Sequence, residues 1–347
     1  MSLRDLTERE RRILEAVIQS YVETAEPAGS RTLARRFGLG VSPATIRNTL
    51  SDLEAKGYLY HPHTSAGRVP TDRAYRMYVD SLDQLAPLVA QERDQLVERI
   101  LAGGSAIETV LRCAAQSLSV LTQELGVALG PRLEETRLQR LELVRLSSER
   151  LLIVMTLEGA AMRTIFVEAP GVIDDGTVAE VTTVLNERLA GLTLREIRAS
   201  LAERLRDGGA GGTAAQELIN IFVQEGDAVF DVPVAGDESV VLGQASVLAE
   251  QPEFASGDSL RKLIELTETR DRLAELLRER SANPGISITI GNEHADPRLG
   301  NLTVVTAEYR VGSLVGVIGV IGPTRMPYEK VISLVSHTSR LVTELLG

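Results

Sequence analysis

The run at 42–70, SPATIRNTLSDLEAKGYLYHPHTSAGRVP, constrains the fold of this chain more than any other stretch. Ser42 is a strong helix N-cap, and Pro43 suits the first helical position, where a missing N–H costs nothing. Ile46, Leu50 and Leu53 recur at helical spacing and make one apolar stripe. Gly57 stops the helix. Tyr58, Leu59 and Tyr60 then read as a strand, 61–67 as a loop, and Arg68 with Val69 as the returning strand.

The residues before it complete a pattern. Thr7 and Glu10 have the spacing of a capping box. Ile13, Leu14, Val17, Tyr21 and Val22 then form one apolar face through about residue 24. Pro27 and Gly29 break that helix, and a short helix over 30–37 buries Leu33, Ala34 and Phe37. Gly38 and Gly40 make the turn into Ser42. Helix, short helix, glycine turn, helix and hairpin is the order of a winged helix-turn-helix.

On the helix from Ser42, the face opposite the stripe carries Ala44, Asn48 and Ser51, flanked by Arg47 and Asp52. Asn pairs bidentately with adenine and Arg with guanine, and a small apolar group meets a thymine methyl. The N-terminal end of such a helix is the end that enters a major groove. Arg68 sits where a wing reaches a phosphate or the minor groove. The pattern alone leaves open a protein-interaction module, in which Arg47 serves a surface ion pair and Asn48 is merely solvated.

The formal net charge of −11 argues against DNA until its distribution is read. Residues 1–80 carry 12 Lys and Arg against 10 Asp and Glu, and within 28–76 the balance is 8 against 3. Positive charge is therefore concentrated at Arg31, Arg35, Arg36, Arg47, Lys56, Arg68, Arg73 and Arg76. Local cations bind phosphates even on an acidic protein.

Beyond residue 72 the chain reads as helical to about 101, with a break at Pro87 and glycines at 103 and 104. Leu82, Val89 and Leu96 fall seven apart, which fits a linker packed on the next domain better than a coiled-coil seam. A helix from 107 precedes strands at 125–129, 138–146, 150–157 and 161–168, with a tight turn at Glu158-Gly159. Strands at 286–290, 302–309 and 314–321 and a helix over 328–346 look like the other half of the same α+β domain. Between them lie helical patterns at 181–189, 194–205 and 214–223, a glycine-rich loop at 208–212, a strand at 240–248 and a helix over 259–280.

Three runs carry a family resemblance: ETAEPAGSRTLARRF, SPATIRNTLSDLEAKGYLYHPHTSAGRVPTDRAYRMYVD and IGPTRMPYEKVISLV. They resemble the HrcA family of bacterial heat-inducible transcription repressors, and the likeness extends along the chain, least distinctly in the middle. That family often has glycine after the threonine where this sequence reads Thr24-Ala25-Glu26-Pro27. The resemblance implies an α+β multidomain protein: a winged helix-turn-helix at 1–80, a helical linker at 81–104, a GAF-like domain at 105–171 and 256–347, and an inserted, mostly helical dimerisation domain at 172–255. It implies a homodimeric repressor of groE- and dnaK-type chaperone operons, released on heat stress. The partners implied are a double-stranded inverted-repeat operator, the CIRCE element, and the GroE chaperonin. The residues expected to meet DNA are Ser30, Arg31, Ser42, Ala44, Thr45, Arg47, Asn48, Ser51, His63 and Arg68.

No enzyme chemistry is legible. There is no P-loop, no GxGxxG after a strand, no HExxH and no GxSxG. His61 and His63 have no cysteine or carboxylate arranged to complete a metal site, so no metal and no cofactor are expected. Gly316, Gly319 and Gly322 fit close strand packing rather than phosphate binding. Cys113, the single cysteine, is expected as an inert core thiol. No run approaches the length of a membrane helix and the opening MSLRDLTERERR has no apolar signal core, so the expected location is cytoplasmic. A GAF-like domain that senses a metabolite is the competing reading. The run Gly322-Pro323-Thr324-Arg325-Met326 is expected to hold Arg325 for an internal salt bridge or for contact with the DNA-binding unit.

Overall fold

Three separate hydrophobic clusters organise the chain. The computed structural model describes residues 6–63, 66–82, 88–101, 107–131, 135–147, 150–158, 162–168, 173–206, 212–224, 240–280, 285–312 and 314–346. Pro87, Gly103, Gly104, Gly159 and the glycine run up to residue 211 lie outside the described residues.

The N-terminal unit follows the sequence closely. Helix α1 (Glu8–Thr24) starts in the expected capping box: the Glu10 N–H donates to Thr7 Oγ1 at 3.3 Å and the Thr7 N–H to Glu10 Oε2 at 2.8 Å. It ends at Ala25, whose φ of 55° is left-handed. That conformation favours glycine, which explains the glycine the family often places there. Replacing Ala25 by glycine should therefore raise the melting temperature, by about 1 kcal/mol of stability; a drop would show that the rigidity of alanine matters more. Helices α2 (Ser30–Arg36) and α3 (Pro43–Ala55) follow. Then come β1 (Leu59–Tyr60), β2 (Val69–Pro70) and α4 (Asp72–Asp80). Ala28 exchanges backbone hydrogen bonds with Arg68 at 2.9 and 3.0 Å, adding a third extended segment to the hairpin.

Helix α5 (Ala90–Leu101) buries Leu96 and Ile100 while Val89 is exposed, so this segment packs on its neighbour as a linker would. Helix α6 (Ile107–Thr122) leads into β3 (Leu125–Leu129). The chain then leaves this body. Strands β4 (Leu138–Arg145), β5 (Arg150–Leu157) and β6 (Met162–Glu168) pair only with one another, in an antiparallel sheet of that order. Helices α7 (Asp175–Leu189), α8 (Leu194–Arg206) and α9 (Thr213–Gln224) pack on one face of it and share its core. Asn186 of α7 covers the backbone of Leu141 on edge strand β4, accepting at 2.8 Å and donating at 2.6 Å.

The return is β7 (Val240–Leu242), which pairs antiparallel with β3. After it come α10 (Ser246–Ala249), α11 (Gly257–Glu268), α12 (Arg270–Arg280) and β8 (Ile286–Ile290). The long strands β9 (Leu302–Val311) and β10 (Leu314–Pro323) and helix α13 (Tyr328–Leu346) complete the chain. The five-stranded sheet has the order β7-β3-β10-β9-β8, every pair antiparallel. Strict alternation gives it two buried faces. Val305, Ala307, Tyr309, Ile318 and Val320 face α6 and α13, and Val304, Val317 and Ile321 face α12. The three glycines of β10 each meet something close: a Cβ would lie 2.3 Å from the Tyr309 ring at Gly316, 2.1 Å from the Val305 carbonyl at Gly319, and 1.9 Å from the Glu124 carboxylate at Gly322. They are packing glycines.

Several expectations need correction. Residues 138–168 are not half of the domain built on 125–129 and 286–321; their strands and α7–α9 make one unit with its own core. The boundary expected at 171/172 thus moves back to about 135. The far boundary moves from 255 to before 240, since β7 belongs to the five-stranded sheet. The strand at 240–248 stops after Leu242, and residues 246–249 are helical. The helix expected over 259–280 is broken at Thr269 (φ −88°, ψ 66°). There the Thr267 and Thr269 hydroxyls bond back to the Ile264 and Glu265 carbonyls, a local alternative to helix continuation. Cys113 is half-buried rather than in the core.

Candidate nucleic-acid interface

Helix α3 is fixed on three sides and open on the fourth. Its inward stripe, Ile46, Leu50 and Leu53, is buried, with Thr49 beside it. At its start the Ser42 hydroxyl accepts the Thr45 N–H at 3.1 Å and lies 3.0 Å from the Thr45 hydroxyl. At its end Lys56 Nζ reaches Glu10 Oε1 on α1 at 2.7 Å. That bond, chiefly, holds the Glu10 carboxyl below its usual range despite burial. Arg73 donates to the Lys56 carbonyl at 2.8 Å, and its guanidinium stacks over Tyr58 at 4.5 Å.

The open side carries Ala44, Arg47, Asn48 and Ser51, all exposed. At about 100° per residue these four make one stripe. Ser51 donates to the Arg47 carbonyl at 3.2 Å. The side chains of Arg47 and Asn48 have no partner among the described residues, and neither do Arg31 and Arg35. Arg31 is exposed on the first turn of α2, beside a half-buried Ser30. His63 is exposed near the wing tip, whose residues 64 and 65 lie outside the described ones.

Arg68 lies in the wing, as the sequence places it, but its side chain is not free to reach DNA. Its side chain is only 12% exposed and binds Glu54 Oε2 of α3 at 2.7 Å, while His61 Nδ1 lies 3.1 Å from Glu54 Oε1. Glu54 therefore ties the wing to α3, and Arg68 is a strut rather than a free cation. A Cβ at Gly67 would fall 2.5 Å from the Pro27 and Ala28 carbonyl oxygens, which is how closely the wing base approaches the segment before α2. Other members of the charged cluster are also engaged: Arg36 with Glu23, Lys56 with Glu10, and Arg76 with Glu293. Sequence reasoning missed Glu10, Glu54 and Glu293 as partners because the contacts are tertiary and leave no periodic signal.

A family model described as the HrcA protein C terminal domain matches residues 108–332. The chain belongs to the HrcA family. A second model, described as the LexA DNA binding domain, matches residues 3–67, the segment just described. Relatives of the HrcA family named heat-inducible transcription repressor span its whole length. One from Chlorobium chlorochromatii is 39% identical, covering 100% of this chain and 99% of its own. One from Chlorobium phaeobacteroides is 40% identical, covering 100% of both. One from Geobacter sulfurreducens is 36% identical, covering 99% and 98%. These relatives are named regulators and not enzymes. A crystal structure described only as a hypothetical protein shares the fold, with a TM-score of 0.74 at 23% identity over 99% of both chains. Among the described residues no helix is long and apolar enough to cross a membrane, and no group of His, Cys, Asp and Glu is arranged to hold a metal ion.

Proposed function

We propose that this chain is a cytoplasmic, heat-inducible transcription repressor that binds an inverted-repeat operator of the CIRCE type as a homodimer. The observation that carries the reading is the pair Arg47 and Asn48, without side-chain partners among the described residues, on a helix pinned everywhere else in a chain of the HrcA family. Each protomer lays α3 in a major groove, where Arg47 and Asn48 read base edges and Ala44 and Ser51 fit between them. Ser42, Thr45, Ser30, Arg31 and His63 line the backbone on either side. Arg68 supports the wing through Glu54 without touching DNA. The central sheet between helical layers supports a GAF-like scaffold, and the separate unit at 138–224 supports the inserted dimerisation domain. Repression of chaperone operons is relieved by heat as the GroE chaperonin, occupied by unfolded protein, ceases to maintain the active repressor.

The test is binding of the purified chain to an inverted-repeat duplex and to a scrambled one, at fixed near-physiological salt, with and without chaperonin. Preference for the inverted repeat, strengthened by chaperonin, is expected. Equal binding to both duplexes in either condition refutes the reading.

Salt dependence follows from which cations are free. If only Arg31, Arg35 and Arg47 of each protomer displace counterions, the slope of log K against log salt is about −5, against about −14 if all eight cations of the cluster did. A slope near the second value would mean that the ion pairs of Arg36, Lys56, Arg68 and Arg76 open on DNA.

A further inference from the structure

Arg325 lies outside the DNA-facing surface, yet it is the side chain that joins the two ends of the molecule most directly. Its loop, between β10 and α13, is held by hydrogen bonds and by a buried side chain. The Thr324 N–H donates to the Asn301 carbonyl at 3.3 Å, the Tyr328 hydroxyl donates to the Thr324 carbonyl at 2.7 Å, and Met326 is fully buried. From that loop the guanidinium forks onto Glu253, Nε to Oε1 at 2.5 Å and Nη2 to Oε2 at 2.9 Å. Glu253 is itself anchored, because the next residue, Phe254, is buried in the core under α12. The remaining nitrogen, Nη1, donates to the Val22 carbonyl at 2.8 Å.

Val22 belongs to the last turn of α1, whose carbonyls have no partner within the helix and welcome a cation. Arg325 thus caps the helix that leads into the helix-turn-helix, from a loop of the central body. The second attachment is on α4. There Arg76 forks onto Glu293 and donates to the Ile288 carbonyl at 2.7 Å. Asp72 accepts from Asn292 at 2.9 and 2.8 Å, and the Tyr78 hydroxyl donates to Glu329 at 2.9 Å. Together with the packing of Tyr75 on Tyr328, at 5.7 Å between ring centroids, the two attachments hold the DNA-binding unit against the central body.

We propose that Arg325, locked by Glu253, is a positioning residue that sets the angle of the winged helix on the central body and so the half-site spacing this protein accepts. The proposal rests on the reading of the chain as a dimer on an inverted repeat. In such a dimer a small rotation of each unit displaces the two α3 helices relative to one another, whereas a single α3 still fits a single half-site.

The experiment measures binding of the full-length chain to duplexes whose half-sites are unchanged but whose spacer is lengthened in steps up to five base pairs, about half a helical turn. A single half-site serves as reference. The unsubstituted chain is expected to reject the longest spacer by about 100-fold; in Arg325→Ala that discrimination is expected to fall to about 10-fold or less, with half-site affinity unchanged. Glu253→Gln keeps the shape of the partner and removes its charge. It should flatten the spacer profile in the same way, and the double variant should add nothing further. Arg325→Lys keeps one ion pair and should restore part of the discrimination, which a merely folded or unfolded readout would not show. If the unsubstituted chain has no spacer preference, the dimer reading itself fails. If it has one and both single variants keep it, Arg325 does not position the unit.

Discussion

Arg47→Ala and Asn48→Ala are each expected to cut the preference for the operator by about 30-fold or more while leaving the fold untouched. The argument starts from how α3 is held. Its stability comes from the buried Ile46, Leu50 and Leu53, from the Ser42 cap and from Lys56 on Glu10. Arg47 and Asn48 contribute to none of these, being exposed and without a side-chain partner among the described residues. Such substitutions change stability by no more than about 0.5 kcal/mol. A bidentate base contact is worth about 1–3 kcal/mol, and a symmetric dimer loses two of them, so specific binding falls by about 30-fold to roughly 25,000-fold. Non-specific binding should fall much less for Asn48→Ala, which removes no charge, than for Arg47→Ala, which also removes a phosphate-steering cation. Duplex titration beside a thermal melt checks both halves. Retained operator preference in both variants would move base reading to other residues. A large drop in melting temperature would mean that Arg47 or Asn48 serves the fold.

The N-terminal unit was legible in the sequence because its signals are local. A capping box, a proline at N1, glycines at turns and a helical stripe each act within a few residues. The structure returns them as α1 capped by Thr7, α3 starting at Pro43, and Ile46, Leu50 and Leu53 buried. Strand and helix types in the remainder were legible for the same reason. The assignment of those strands to sheets was not. β3 and β4 both read as strands rich in apolar residues, yet β3 pairs with β10, far away in sequence, and β4 pairs with β5 in another sheet. Periodicity tells a strand from a helix but carries no address. Arg68 shows the same limit at the site: its place in the wing was right, and its direction was decided by Glu54, which sits on α3 and faces it. The sequence suggests an ion pair or a contact with the DNA-binding unit for Arg325, and it makes both, with Glu253 and Val22. In the sequence Ala25 is only a departure from the family, and its left-handed backbone supplies the reason that glycine is common there.

The second large effect is expected at a residue far from DNA. In the sheet β4-β5-β6, one face is sealed by α7–α9, and the other is uncovered among the described residues yet apolar along one row. Val144, Leu152 and Phe166 are register neighbours across the three strands. Phe166 is 71% exposed, and Val144 and Leu146 are exposed beside it. An aromatic ring left in water on edge strand β6 gains about 1.5–3 kcal/mol when covered, and two-fold symmetry counts it twice. If this face is where two protomers meet, Phe166→Glu removes that gain and sets two carboxylates in a closing interface, where burial of unpaired charge costs several kcal/mol more. The dimer should then weaken by about a thousandfold or more. The protomer should still fold, because the substituted side chain is outside the core. Operator affinity should collapse toward that of a single half-site, because the second winged helix is no longer delivered by the first. Sedimentation at micromolar concentration reads the first effect and duplex titration the second. A dimer that survives Phe166→Glu intact would place the subunit contact on another surface, and the uncovered row would then need a different partner to explain why it is apolar.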